Sequence, residues 1–436
     1  MMPTVALYTL GCKVSLYETE AITEAFVKEG YKVCGFDEVC DVYVINTCTV
    51  TAESDAKSRK YIRRAIRKNP QAVVIAIGCY SQHSPEEVAG IDGVSAVIGT
   101  ADKLSAVKLA SELLKKKADS PIISVKDLSN EKFESMTVTS APRTRAYVKI
   151  EDGCECKCTY CAISPARGPV RSKPACEVIR EVEGLFAGGT KEVILTGIET
   201  GSYGADFDEK YDLADLLTEL NERHSCERIR LGSMAPELLS ESFISRVYNL
   251  PILTPHFHIS MQSGSTAVLN RMKRRYSYEM AIKNVNRIRE KIPSACLTAD
   301  LMVGFPGESE DDFLATVKFV KEARLLDAHV FAYSKRSGTP AASYDGQIPE
   351  EIKKERSARL IKEVAISKEA VLSDIISSGR TLPCIFETKH ANFYTGHSDS
   401  YIEVMCQSDE DIRGRLLTVL PTHQSDGILY GRIISK

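Results

Sequence analysis

Short β-branched runs alternate with longer amphipathic stretches over most of the chain. "VALYTL" (5–10), "VYVINT" (42–47) and "AVVIAI" (72–77) read as buried strands of a parallel sheet. Helical periodicity follows over Glu18–Lys28, 53–68, 84–89 and 101–116, which predicts a small α/β domain over residues 2–116. Residues 117–139 are polar and aperiodic and predict a linker. From 140 to 370 a second alternation offers six strands: "AYVKI", "EVILTG", "RIRLGSM", "HFHISM", "LTADLMVG" and "AHVFAY". With helices between them these predict a partial TIM-type (β/α)6 barrel, followed by a long charged helix over Glu350–Ser377. Over 373–436 the period switches to that of short strands, "CIFET", "YIEVMC", "RLLTVL" and "ILYGRII", which predicts a small β-barrel. The fold class is α/β.

Composition narrows the chemistry. The 436 residues are 43% hydrophobic and 26% charged, as in a soluble globular protein. No run approaches the roughly 18 apolar residues of a membrane helix, and the first residues lack a signal-peptide pattern, so a cytoplasmic protein with no membrane partner is expected. The 14 cysteines are about 3% of the chain, far below the roughly 8–10% of a disulfide scaffold. Clustered thiols in a reducing compartment point to metal binding or catalysis. The net charge of −3 leaves any nucleic-acid contact to local patches.

"DGCECKCTYC" (152–161) holds four cysteines, of which Cys154, Cys158 and Cys161 have the spacing C-x3-C-x2-C. Three thiolates suit three irons of a 4Fe–4S cluster and leave the fourth iron open, where S-adenosylmethionine binds for reductive cleavage to a radical. A structural zinc knuckle is the alternative, although it normally takes four ligands. The triplet follows the first predicted barrel strand, at the C-terminal mouth where barrel enzymes work. Cys156 breaks the spacing and is expected to face away. Cys12, Cys48 and Cys79 each close an apolar strand run in the first domain, and loops after parallel strands share one ligand-binding edge. They form either a second open cluster or three buried thiols acting as small hydrophobes.

"GCECKCTYC", "INTCTV", "GCY", "EVILTGIETGSYG", "HISMQSGS", "VLNRMKRRYS", "ADLMVGFPGE" and "FAYSKRSGTPAA" together resemble the radical-SAM methylthiotransferase family over essentially the whole chain. "TLGCKVSLYETEAI" is similar to the MtaB-type branch, departing from it at Ser15 and Leu16. The resemblance implies an N-terminal methylthiotransferase domain with one 4Fe–4S cluster on Cys12, Cys48 and Cys79. It implies a radical-SAM core with another on Cys154, Cys158 and Cys161, the catalytic set, and a C-terminal OB-like TRAM barrel. The implied reaction consumes two S-adenosylmethionine molecules per turnover and methylthiolates carbon 2 of N(6)-threonylcarbamoyladenosine at position 37, in the tRNA anticodon stem-loop. An electron donor such as flavodoxin or ferredoxin and a sulfur donor are implied as partners. Isopentenyladenosine in tRNA, an aspartate of a ribosomal protein, and a non-catalytic iron–sulfur RNA-binding role stay open as alternatives.

At the barrel mouth, Thr196, Gly197 and Glu199 end the second strand, where the family places a Gly-Glu pair against the methionyl amino group. Ser260 and Gln262 end the fourth; with Gly197 and Glu199 they are the expected cofactor-binding residues. Arg167 and Arg171 suit carboxylates or RNA phosphates. His258 is either a satisfied strand-end histidine or a catalytic one. For RNA, "KSRKYIRRAIRK" (57–68) presents Arg63, Arg64 and Arg67 with Lys60 and Lys68 on one helical side, and "RMKRRYS" adds Lys273, Arg274 and Arg275. Either run is also explained as a solvated face. In the C-terminal unit Phe393, Tyr394 and Tyr401 are candidates for base stacking or for core.

Overall fold

The structure is a computed structural model that describes residues 2–140, 144–223 and 225–435. The N-terminal unit is one sheet of six parallel strands: β1 (Thr4–Thr9), β2 (Lys32–Val33), β3 (Val42–Thr47), β4 (Val73–Gly78), β5 (Ala96–Ile98) and β6 (Ile122–Ser124). They lie in the order β2-β1-β3-β4-β5-β6. Every residue of β3 and β4 is buried, because helices cover both faces of the sheet. The order in which strands are added to the sheet reverses between β1 and β3, which makes the crevice outside their C-terminal ends the natural ligand site.

Several elements depart from the expected pattern. β2, β5 and β6 are two- or three-residue strands without a legible periodicity. β6 lies in the segment 117–139 expected as a linker, and that segment is packed. Met136 and Val138 are buried in the central core, and the Met136 carbonyl accepts hydrogen bonds from Tyr17 Oη (2.6 Å) and Lys173 Nζ (2.7 Å). The first helix runs over Lys13–Lys28 with Cys12 as its N-cap residue, five residues earlier than expected. Its Tyr17 and Ala21 join the central core, so the two units share apolar contacts.

The central unit uses β7 (Arg145–Lys149), β8 (Glu151–Asp152), β9 (Arg171–Ser172), β10 (Glu192–Thr196), β11 (Ile229–Leu231), β12 (Ser233–Met234), β13 (His256–Gln262), β14 (Cys296–Val303) and β15 (Asp327–Ala332). Parallel pairing gives two sheets, β11-β10-β7 and β12-β13-β14-β15. The expected third strand, "RIRLGSM", is interrupted at Gly232 and supplies one strand to each. The partial barrel is therefore built from six expected strand positions. The start of this unit at 140 adjoins residues 141–143, which lie outside the described residues. β8 and β9 pair antiparallel and clamp the two ends of the cysteine loop.

After the helix Glu350–Ser377 the chain forms a closed barrel of five strands: β16 (Leu382–His390), β17 (Phe393–Ser398), β18 (Glu403–Gln407), β19 (Leu416–Ser425) and β20 (Ile428–Ser435). β17 is the strand absent from the sequence expectation; "FYTGHS" is too polar to show a strand period.

Candidate active site

Each cysteine triplet lies on loops that follow strand ends. Cys12, Cys48 and Cys79 follow β1, β3 and β4, three neighbouring strands, so all three stand at the C-terminal edge of the sheet beside its point of reversal. Cys12 is exposed, whereas Cys48 and Cys79 are buried. Burial pushes the Cys48 thiol up and the Cys79 thiol to about 12, so neither ionises at neutral pH without a cationic partner. Cys79 has one: Arg167 Nε donates to its Sγ at 3.1 Å.

Cys154, Cys158 and Cys161 lie on the loop between β8 and β9. Gly153 at φ +94° makes the entry turn, where a Cβ would stand 1.9 Å from the Pro169 carbonyl oxygen. The sulfurs are met by donors: Ile163 N and Ser164 N reach Cys161 Sγ at 3.3 and 3.4 Å, and Arg274 Nη1 reaches Cys158 Sγ at 3.1 Å. N–H groups aimed at sulfur stabilise thiolate character and tune an iron–sulfur centre. The backbone N of Cys156 donates to Cys154 Sγ at 3.5 Å, so this residue takes part in the loop through its main chain.

Among the described residues no three His, Cys, Asp or Glu side chains converge on a single metal ion. One tetrahedral zinc would need its sulfurs about 3.8 Å apart, given Zn–S bonds near 2.3 Å. Cys79, Cys158 and Cys161, each met by an N–H donor, suit thiolate ligands on separate irons of a cluster.

Glu199 has the features expected of an ammonium site. Its carboxylate is buried and accepts Ala235 N at 3.0 Å, and burial pushes its carboxyl up to about 8. Glu151, also buried, accepts Glu199 N at 2.9 Å while its second oxygen has no hydrogen-bond partner among the described residues. Gly197 passes so close that a Cβ would lie 2.4 Å from Glu151 Oε2. Gln262 is buried at φ +64°, and the half-buried Ser260 offers its carbonyl to Arg274 (3.2 Å) and Tyr276 (2.7 Å).

Two arginines take one of their two expected options, and a third departs from its expected role. Arg167 is 0% exposed and unreachable by RNA; it takes the carboxylate option. Its guanidinium meets Glu18 at 2.6 Å and Asp152 at 3.2 Å while holding Cys79, so it joins the first helix, the hairpin below the cysteine loop, and the N-terminal triplet. Lys149 and Lys103 reach the same Glu18 carboxylate, each at 3.0 Å. Arg171 is likewise buried, 3.6 Å from Asp152. Arg274 turns inward onto Cys158 instead of outward, leaving Lys273 and Arg275 exposed. On the helix Ala52–Lys68 the cationic face is exposed as expected, but Arg64 pairs with Asp37. Lys60, Arg63, Arg67 and Lys68 are in no ion pair among the described residues. Tyr394 is core; Tyr401 stacks between His256 and His397, so of the three ring candidates Phe393 is the exposed one. His258 is engaged on both ring nitrogens, by Thr298 (2.8 Å) and Asp300 (3.2 Å). Sequence reasoning missed Glu18, Lys103, Lys149 and Asp152, since nothing local marks a charge whose network is assembled from segments up to 149 residues apart.

These features define a radical-SAM protein with a second cysteine-bearing α/β unit set against its barrel mouth. The Radical SAM superfamily pattern matches residues 148–320, and the uncharacterized protein family UPF0004 matches residues 4–99. The chain is 41% identical over 428 residues to the threonylcarbamoyladenosine tRNA methylthiotransferase MtaB of Bacillus subtilis (strain 168), covering 96% of this chain and 93% of the relative. A tRNA-2-methylthio-N(6)-dimethylallyladenosine synthase of Methylacidiphilum infernorum (isolate V4) is 32% identical over 446 residues, 99% of this chain and 94% of that one. The chain belongs to the radical-SAM methylthiotransferase family. Its fold is similar to that of the radical S-adenosylmethionine methyltransferase TsrM from Kitasatospora setae, at TM-score 0.59 and 17% identity over 78% of this chain and 77% of that one. Members of the family use S-adenosylmethionine and 4Fe–4S clusters.

Proposed function

We propose that this protein methylthiolates carbon 2 of N(6)-threonylcarbamoyladenosine at position 37 of tRNA. The observation that carries the reading is the pair of three-cysteine sets, with Arg167, on the loop that bears one set, donating to Cys79 of the other. The likeness at 41% identity to a relative named for this substrate, against 32% to one named for dimethylallyladenosine, favours the threonylcarbamoyl base.

Cys154, Cys158 and Cys161 hold one 4Fe–4S cluster and Cys12, Cys48 and Cys79 the other. When bound, these supply one-electron cleavage of S-adenosylmethionine and a resting place for the sulfur that is transferred. The chain does the rest. Glu199 pairs with the ammonium of S-adenosylmethionine, and Gly197 lets the backbone pass close beside it. Arg274 and the N–H groups of Ile163 and Ser164 stabilise thiolate sulfur. Arg167 fixes the separation of the two sets. Arg63, Arg67, Lys273 and Arg275 contact RNA phosphates, which positions the stem-loop without reading its sequence. The chemistry needs an electron donor of the flavodoxin or ferredoxin type and a sulfur donor, in the reducing cytoplasm.

The test follows 5′-deoxyadenosine and the modified nucleoside in one assay. Cys48→Ala is expected to cleave S-adenosylmethionine yet form no methylthio product, whereas Cys158→Ala forms neither. Methylthiolated tRNA from Cys48→Ala at the wild-type rate would sink the division of labour.

A further inference from the structure

On the strands of the four-stranded sheet, alternate residues face opposite ways. Phe257, Ile259, Leu297, Ala299, Leu301 and Val330 pack into the helical core. Their neighbours His258, Thr298, Asp300 and His329 therefore face the concave interior of the open barrel. Parallel register sets His258 beside Thr298 and Asp300 beside His329, forming a polar row across three strands. The row is bonded together. His258 reaches Thr298 Oγ1 at 2.8 Å and Asp300 Oδ2 at 3.2 Å, and His329 Nδ1 reaches Asp300 Oδ1 at 3.5 Å.

His258, Thr298 and His329 of the row border a cavity of about 310 Å³, which the Asp327–Lys368 ion pair also lines and which His397, Tyr401 and Glu403 of the C-terminal barrel close on its other side. The His329 side chain is 75% exposed, so one edge of its ring rests on Asp300 and the other faces the cavity. Burial pushes the Asp300 carboxyl up, but hydrogen bonds from His258 and His329 outweigh it and leave the group below the usual carboxylate range. The same contact raises His329.

Asp300 and His329 each lie three residues before the end of their strands, about 10 Å below the mouth. In the proposed substrate the carboxylate is four bonds from N6, about 5 Å beyond the base. To bring its carboxylate to this row the base must therefore enter the open barrel by about 5 Å, substituent first.

We propose that the row, with His329 as the contact group, binds the carboxylate of the threonyl group on the substrate base and selects a base with an anionic N6 substituent over one with a hydrocarbon. The proposal rests on the tRNA threonylcarbamoyladenosine reading. A carboxylate would gain a hydrogen bond from the free edge of His329, whereas a hydrocarbon there would displace water from that edge and offer no partner in return. A phosphate of a neighbouring nucleotide has the same anionic chemistry, so the experiment separates the two.

Anticodon stem-loop RNAs are prepared with N(6)-threonylcarbamoyladenosine, with its methyl ester, and with isopentenyladenosine. His329→Ala is expected to raise KM for the acid about tenfold or more, the loss of one hydrogen bond to a charged group. For the ester, wild type and variant should have the same KM. His329→Gln, which keeps a donor, should recover part of the loss, and it carries the test if the alanine variant fails to load iron. An equal rise for acid and ester would assign the row to phosphate and overturn the proposal, as would an unchanged KM for the acid. A wild-type enzyme inert on the acid and active on isopentenyladenosine would instead overturn the substrate reading on which it rests.

Discussion

Glu199 ionises near neutrality because burial strips its carboxylate of water and leaves it one backbone donor. An unfolded glutamate titrates near pH 4.3. With the folded value raised to about 8, its contribution to stability is complete below about pH 4.3 and is lost as pH rises through 8. An ammonium beside the carboxylate reverses that preference and expels the proton. S-adenosylmethionine binding to the iron-loaded protein at pH 7 should therefore release close to one proton. Calorimetry in two buffers of different ionisation enthalpy measures it. Glu199→Gln should abolish the release and weaken binding about tenfold to a hundredfold, the range for a hydrogen bond to a charged group; equal heats in both buffers for wild type would remove Glu199 from the ammonium site. At this scale the cysteines were legible because strand ends and thiol spacing are local patterns. Arg167 and Arg274 were not, because an arginine drawn inward by Glu18 or Cys158 has the same local sequence as one on the surface.

The helix Ala52–Lys68 was legible almost whole. Its period places Ile62 and Ala65 inside and the cations outside, and Thr51 caps its start by accepting from Ser54 N at 3.2 Å. What the period could not give is which cations are spent on partners: Lys57 on Glu53, Arg59 on Glu87, Arg64 on Asp37. Arg63 and Arg67 remain available. Replacing both with Glu should weaken tRNA binding and flatten its salt dependence by roughly 0.7–0.9 in the log–log slope per lost phosphate contact. Binding titrations across a salt series check this, and an unchanged slope returns the helix to a solvated face. β6 and β17 escaped the same kind of reading, since they are held by pairing with β5 and with β16 and β18, which a local period does not record.

For the molecule as a whole, six cysteines in two sets predict about eight irons per chain after anaerobic reconstitution. Iron and protein analysis of Cys12→Ala and Cys161→Ala should each give about four, the intact set loading alone. About four irons in the wild type would leave one set as plain thiols. The parallel sheet, the open barrel and the small closed barrel were legible because strand runs differ between them in length and spacing. The way the units meet was not. The stretch after Lys117 is polar as a linker is, yet Met136 and Val138 are buried beside Tyr17 and Glu181.

The meeting of Arg167, Glu18 and Asp152 at 0–4% side-chain exposure has a consequence for the RNA. A buried, multiply paired joint of this kind does not swing open on demand, because parting it would strand charges away from water. The space between the two thiol sets then keeps a fixed width, and a duplex or stacked strand cannot widen it. On the tRNA reading, deformation falls to the substrate: the adenosine must leave its stack and turn out of the loop. That unstacking costs a few kcal/mol and is cheapest at a base that is already single-stranded. A rigid enzyme would thereby favour a loop nucleotide over the same base in a helix before any contact reads its identity.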